Sequence, residues 1–224
     1  MSSLQLSQCI TNLSLLFGIV SKTLSSQPTN QSNFAELEQL LFLEFHLQAQ
    51  VVELSRLSKY AENEPRIKGA FPKPPYDALI GSCQVVLDRL LSFRFANFKK
   101  PSVTFRNLIV PHLAEHSDHL IVSILVDMFV YSGSLGLKSS LPPNWKDSSK
   151  ARNDLLDMIR TTPGALEAIV LNGDVHYIFI FFALKDIVKE LETMRENLVL
   201  LFGEKKLELS LVNQNIVSHS RFSM

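Results

Sequence analysis

Glycine and cysteine are scarce in this sequence. Eight glycines stand among 224 residues, which leaves little material for the tight turns of β-hairpins. The two cysteines, Cys9 and Cys83, form neither a C-x-x-C pair nor a disulfide framework. We therefore expect reduced thiols in a protein that faces the cytosol.

An excess of one charge and the common catalytic signatures are also lacking. Lysine plus arginine and aspartate plus glutamate number 22 each, so no overall field attracts nucleic acid. The sequence has no Walker loop, no G-x-G-x-x-G and no G-x-S-x-G, and spacing identifies no nucleophile with its base. We expect a protein that is not an enzyme, uses no cofactor and binds no nucleic acid.

A basic leader and long apolar runs are missing as well. The first basic residue is Lys22, whereas a secretory signal begins with a basic region. A membrane-spanning helix needs about 20 mostly apolar residues. The best candidates, residues 120–131 and 177–184, are shorter, and Asp127 interrupts the first of them. We expect no membrane crossing in this chain.

Helical periodicity is what the sequence does have. Hydrophobic residues make up 46% of the chain, and they recur mainly at spacings of three and four. We predict an all-α fold, an elongated antiparallel bundle of about five or six helices, over residues 1–204, with a polar tail at 205–224. The proline-rich residues 62–75 form the clearest connector. Helices are expected over residues 3–26, 33–61, 75–99, 111–137 and 146–160, followed by a last helix that ends before Gly203.

The last helix carries the most regular pattern. Its apolar residues are separated alternately by three and four positions, which is the heptad spacing of left-handed helix packing. Packing inside the bundle is the commoner use of such a seam, and self-association with a second chain is the alternative. The seam consists of Tyr177, Ile180, Leu184, Ile187, Leu191, Met194, Leu198 and Leu201.

Three histidines and a glutamate form a candidate metal site. His112, Glu115 and His116 fit the H-x-x-E-H pattern, and His119 would lie on the same face of a helix. Helical histidines four positions apart are able to bind zinc. A short motif of this kind also arises by chance, so the alternative is a solvated helix start.

A basic and aromatic segment is the second candidate site. Its cationic residues alternate with phenylalanines at positions 93, 95, 98 and 105. Such mixtures occur on helices at membrane surfaces and in single-strand nucleic-acid platforms, and a solvated basic face is the structural alternative. Zero net charge favours lipid headgroups among the functional options. The basic residues are Arg89, Arg94, Lys99, Lys100 and Arg106.

A single carboxylate interrupts the most apolar helix. Asp127 stands between Val126 and Met128, and a buried carboxylate needs a partner or a raised pKa. We expect an internal ion pair, with a ligand contact as the alternative.

Three segments resemble a known family. They contain EPRIKGAFPKPP within residues 64–94, LIVSILVDMFVYSG within 120–143 and FALKDIVKELETM within 182–204. Their order and spacing resemble the C-terminal soluble domain of fungal membrane proteins in the aromatic acid exporter group, which are related to the fusaric-acid-resistance and brefeldin-A-sensitivity proteins. In that family the domain follows a transmembrane bundle and faces the cytosol. The resemblance supplies no functional residues, and the histidine cluster is not part of its pattern.

The function expected from this resemblance is non-enzymatic. The chain would be a cytosolic accessory domain for regulation, assembly or docking in a transporter of aromatic or organic acids, without its transmembrane part. Its partners would be that transmembrane portion, in cis, and the membrane surface at whose cytoplasmic face it lies. The alternative is a free-standing helical protein that binds a small molecule or a metal through His112, His116 and His119.

Overall fold

Apolar residues at three- and four-residue spacings form six long helices in the computed structural model. The structure describes residues 3–25, 33–62, 71–97, 110–143, 148–163 and 175–205. Over these ranges it contains no strand, only an isolated bridge between Leu141 and Glu204, so the all-α prediction is confirmed. The helices are α1 (Ser3–Ser25), α2 (Asn33–Glu62), α3 (Lys73–Asn97), α4 (Val110–Leu137), α5 (Ser148–Thr161) and α6 (Val175–Phe202).

Four helices make a central ring, and two flank it. Helix α1 packs on α3, α3 on α6, α6 on α4 and α4 on α1. Among the described residues the two diagonal pairs, α1 with α6 and α3 with α4, do not contact each other. Helix α2 lies against α1 and α3, and α5 lies against α4 and α6. Each flanking helix therefore has a side that no other described helix covers.

The heptad seam of α6 lies inside this ring. Six of its residues are buried, from Ile180 to Leu198, and Leu201 is half-buried. Helix α3 runs antiparallel to α6, since Ser82 bonds Glu190 at 2.7 Å and Arg89 pairs with Asp186 further along. The seam is thus used for packing within the chain. The side chain of Tyr177 lies outside the described residues.

Backbone contacts join the C-terminal ends of α4 and α6. The N–H of Leu141 donates to the carbonyl of Gly203 at 3.1 Å, and the N–H of Lys205 donates to the carbonyl of Leu141 at 2.9 Å. Gly203 has a φ of 78°, and its N–H donates to the carbonyl of Val199 at 2.8 Å. This is the left-handed cap for which glycine is suited, as its place after the seam predicts. The predicted tail beyond residue 205 lies outside the described residues.

A polar seam holds α1 against α4. The hydroxyl of Ser7 donates to the carbonyl of Ser132 at 2.8 Å, and the hydroxyl of Ser132 is 2.7 Å from that of Thr11. A Cβ at Gly136 would lie 3.2 Å from the Ser7 hydroxyl oxygen. Small residues and hydroxyls therefore bring the two helices close together, in antiparallel directions.

Two helices are long and apolar enough to cross a bilayer by length and composition alone. They span Ser3–Lys22, with a mean hydropathy of 1.3, and Ala114–Leu137, with 1.9. The share of each that is buried in the bundle is 50% and 44%, and a core helix of a soluble protein passes the same test. The first segment was not anticipated, because serines and glutamines interrupt its apolar runs. The absence of a membrane crossing stays a prediction.

Candidate functional site

The outer face of α4 is an exposed apolar surface, which we call the α4 stripe. It consists of Val122, Val126, Phe129 and Leu137, with Gly133 between the last two. Phe129 and Leu137 are 78% and 80% exposed. With about 3.6 residues per turn these positions share one side of the helix. Contiguous exposed apolar surface of this kind commonly marks an interaction site.

The opposite side of α4 fixes this stripe in place. Leu120, Ile124, Met128, Tyr131 and Leu135 are buried in the core. Together with the polar seam to α1, they give the helix a single orientation. The stripe is therefore a rigid surface, and partners bind rigid surfaces at a lower entropic cost.

Asp127 anchors α5 to α4. Its side chain is fully buried, and Oδ2 accepts a hydrogen bond from the backbone N–H of Ser148 at 2.9 Å. Ser148 begins α5, so the carboxylate lies at the positive end of that helix. One contact of this carboxylate is thus with a helix N-terminus. The ion pair and the ligand contact considered from the sequence stay predictions. A backbone N–H in another element leaves no trace in side-chain patterns.

The histidine cluster lies on the first turns of α4. Glu115 and His119 are exposed and His116 is half-buried. The Nδ1 of His116 is buried and has no hydrogen-bond partner among the residues that the structure describes. The side chain of His112 lies outside the described residues. Among the side chains that the structure describes, no group of three or more His, Cys, Asp or Glu residues is arranged to hold a metal. The three-histidine site stays a prediction.

Only one member of the basic segment has a described side chain. Nε of Arg89 lies 2.8 Å from Oδ2 of Asp186 on α6, although the N–H does not point at that oxygen closely enough for a hydrogen bond. The contact is therefore an ion pair without a hydrogen bond, and it joins α3 to α6. The rest of the segment, the Arg94 side chain with Lys99, Lys100 and Arg106, lies outside the described residues, so its role at a membrane stays a prediction.

A shallow groove separates α1 from α2. It has a volume of about 320 Å³, and its lining combines polar residues, among them Gln5, Gln8, His46 and Glu53, with Ala49, Leu54 and Leu57. Beside it, the amide of Asn12 donates to Gln50 at 2.9 Å. The groove does not include the predicted histidine cluster. Gln8 and Gln50 are both hydrogen-bonded to Asn12, and Glu53 is paired with Arg56, an arrangement that serves packing.

The two cysteines lie together in the core as free thiols. A hydrogen bond with Cys9 and, after it, burial raise the pKa of Cys83 well above its usual range. Because the thiolate is the reactive form, both residues suit a structural role. Their reduced state agrees with the sequence prediction.

The comparison with known proteins places the chain in a family. The model described as the Brefeldin A-sensitivity protein 4-like domain matches residues 2–199. The chain belongs to this family. The match begins before α1 and ends inside α6, so among the described helices it covers α1 to α5 completely and α6 up to Val199. No curated protein and no solved structure matches the chain.

Part of the resemblance seen in the sequence is thereby confirmed. The relation to brefeldin-A-sensitivity proteins is shown by the family match. The exposed stripe on α4 is the feature that sequence reasoning missed, since a helix that is apolar on most sides does not reveal which side stays uncovered.

Proposed function

We propose that this Brefeldin A-sensitivity protein 4-like domain is a non-enzymatic accessory domain of a transporter-like membrane protein. It would lie at the cytoplasmic face of a membrane and dock onto the membrane-embedded part of its parent protein. The cargo class, aromatic or organic acids, comes from the resemblance of residues 64–94, 120–143 and 182–204 to the aromatic acid exporter group.

The observation that supports docking best is the α4 stripe. Phe129 alone exposes 78% of its surface, and burying a phenylalanine side chain contributes about 1.5–3 kcal/mol. Val122, Val126 and Leu137 extend the same side over about four turns of the helix. A non-enzymatic domain that assembles with a larger protein needs a surface of this kind.

Two steps test this proposal in the native organism. The first is a blot of fractionated cells with an antibody raised against the domain. Docking in cis predicts a band much larger than 25.3 kDa that is confined to membranes. A soluble band of about that mass would refute the proposal.

The second step tests the role of the α4 stripe by substitution in the full-length parent protein. Phe129→Asp should reduce chemical crosslinking between the domain and the membrane-embedded part of the parent protein at least tenfold. Leu200→Asp is the matched control, because Leu200 is 75% exposed on α6, outside the stripe. Equal losses in the two variants, with both folded by circular dichroism, would argue against docking through α4.

The alternative function is a free-standing helical protein that binds a metal through His112, His116 and His119. One observation favours it, the buried Nδ1 of His116 without a hydrogen-bond partner. Stoichiometric metal that survives dialysis in the wild type and is lost in His116→Ala would support it. Metal-free protein would reject it.

A further inference from the structure

Helix α2 carries a second heptad pattern on its uncovered side. Starting at Glu38, exposed residues follow at intervals of four, three, four, three and four, the spacing of a coiled-coil seam. The buried side holds Leu40, Leu47, Val51 and Leu54. We call the exposed set the α2 seam: Glu38, Phe42, Phe45, Ala49, Val52 and Arg56.

The α2 seam is apolar at its centre and charged at its ends. Phe42, Phe45 and Val52 are 72%, 69% and 67% exposed, while Glu38 stands at one end and Arg56 at the other. From Glu38 to Arg56 the helix rises about 27 Å. Three large exposed apolar side chains in one row are costly to leave in water.

The end charges select the direction of a partner helix. If two copies met in parallel, Glu38 would face Glu38 and Arg56 would face Arg56. In the antiparallel arrangement Glu38 of each copy faces Arg56 of the other, at both ends. Opposite charges across an interface fix orientation and register.

The volumes select the same arrangement. A two-fold axis that crosses the seam at the level of Leu47 places Phe42 of one copy opposite Val52 of the other, and Phe45 opposite Ala49. Each of these two contacts occurs twice in the dimer. Every ring then meets a smaller side chain, which is how facing layers interdigitate. An isologous contact of this kind closes on itself and gives a dimer.

Arg56 is held in position for this contact. Its Nη2 lies 2.7 Å and its Nε 2.8 Å from the carboxylate of Glu53, and its guanidinium lies 5.3 Å from the centre of the Tyr60 ring. A guanidinium has more N–H donors than Glu53 uses. The remaining donors are able to reach a carboxylate on a second chain.

We propose that α2 joins two copies of this chain as an antiparallel coiled coil through the α2 seam. A lipid surface fits this side less well, because among the described side chains of α2 three exposed acids, Glu38, Glu53 and Glu62, outnumber the two exposed bases, Arg56 and Lys59. Helix α2 does not contact α4 among the described residues, so this surface is separate from the one proposed for docking.

Sedimentation of the whole chain over a range of concentrations tests the proposal. The wild type should reach twice 25.3 kDa. Glu38→Arg and Arg56→Glu should each raise the dissociation constant at least tenfold, because like charges then meet at both ends. The double variant Glu38→Arg/Arg56→Glu should return the dissociation constant to within about threefold of the wild type, because opposite charges again meet at both ends. A tenfold change in this constant corresponds to about 1.4 kcal/mol.

A matched control exists on α5. Arg160 pairs with Asp157 three positions earlier, as Arg56 pairs with Glu53, so Arg160→Glu breaks an equivalent exposed ion pair and should leave the dimer intact. A monomer at every concentration would overturn the proposal. So would a dimer that resists both single variants, a double variant that stays monomeric, or a monomer that binds vesicles of phosphatidylcholine and phosphatidylserine through the α2 seam.

Discussion

Replacing Asp127 by alanine should lower the free energy of unfolding by about 3 kcal/mol. A hydrogen bond to a charged group contributes about 1.5–3 kcal/mol, and a carboxylate at a helix N-terminus up to about 2 kcal/mol when the site is buried. Part of this gain offsets the cost of burying the carboxylate. The net stabilisation that remains is lost in the alanine variant, which also leaves the N–H of Ser148 without this acceptor.

Asparagine at the same position separates charge from hydrogen bonding. Its amide oxygen still accepts from Ser148, so Asp127→Asn should cost about 1 kcal/mol, less than alanine. Denaturant titration gives both values, and for a chain of this size about 3 kcal/mol corresponds to a melting temperature roughly 6–12 °C lower.

Hydrogen exchange locates the effect. In Asp127→Ala the backbone amides of α5 should exchange faster through local opening. The amides of α3 and α6 should still exchange only through global unfolding. Asp118→Ala, at an exposed position of the same helix, should stay within about 0.5 kcal/mol of the wild type. A cost below about 0.5 kcal/mol for Asp127→Ala, or unchanged exchange in α5, would refute the anchoring of α5 by this carboxylate.

Two further predictions concern stability. Gly133→Ala should stabilise the protein by about 0.5–1 kcal/mol, because a Cβ there meets no atom and alanine favours the helix. Gly136→Ala should be less stable than Gly133→Ala, since a Cβ at position 136 crowds Ser7. Equal melting temperatures of the two variants would contradict this. The pKa of Cys83 is raised in the folded protein, so above the pKa of the unfolded thiol, about 8.5, the unfolded chain loses this proton first. The free energy of unfolding is therefore constant in this respect below that pH and falls as the pH rises past it. In Cys83→Ala the alkaline decline in denaturation midpoints should be shallower, and an unchanged slope would contradict the assignment.

The fold followed from the sequence where one periodic face dominated a helix. The α6 seam was predicted at the correct spacing, and its six residues from Ile180 to Leu198 are buried. Helix α3 begins at Lys73 rather than at Pro75, because prolines are tolerated in the first turn.

The interaction surfaces were harder to read. Residues 120–131 are apolar on most sides, so the pattern could not show that Phe129 faces outward while Met128 is buried. The α2 seam was hidden because the same helix has a stronger buried row, and an exposed heptad is recognised only once the buried side is known. One partner of Asp127 is a backbone N–H 21 residues away, which side-chain spacing does not reveal.

The bridge between Leu141 and Glu204 has a mechanical consequence. It puts the end of α6 beside the end of α4, and the contact of Ser7 with Gly136 puts the start of α1 there too. A pull on both termini would therefore act at one end of the bundle and peel α1 and α6 away one turn at a time. Two points of attachment at these helix ends would lie side by side, so the length of the bundle would not separate them.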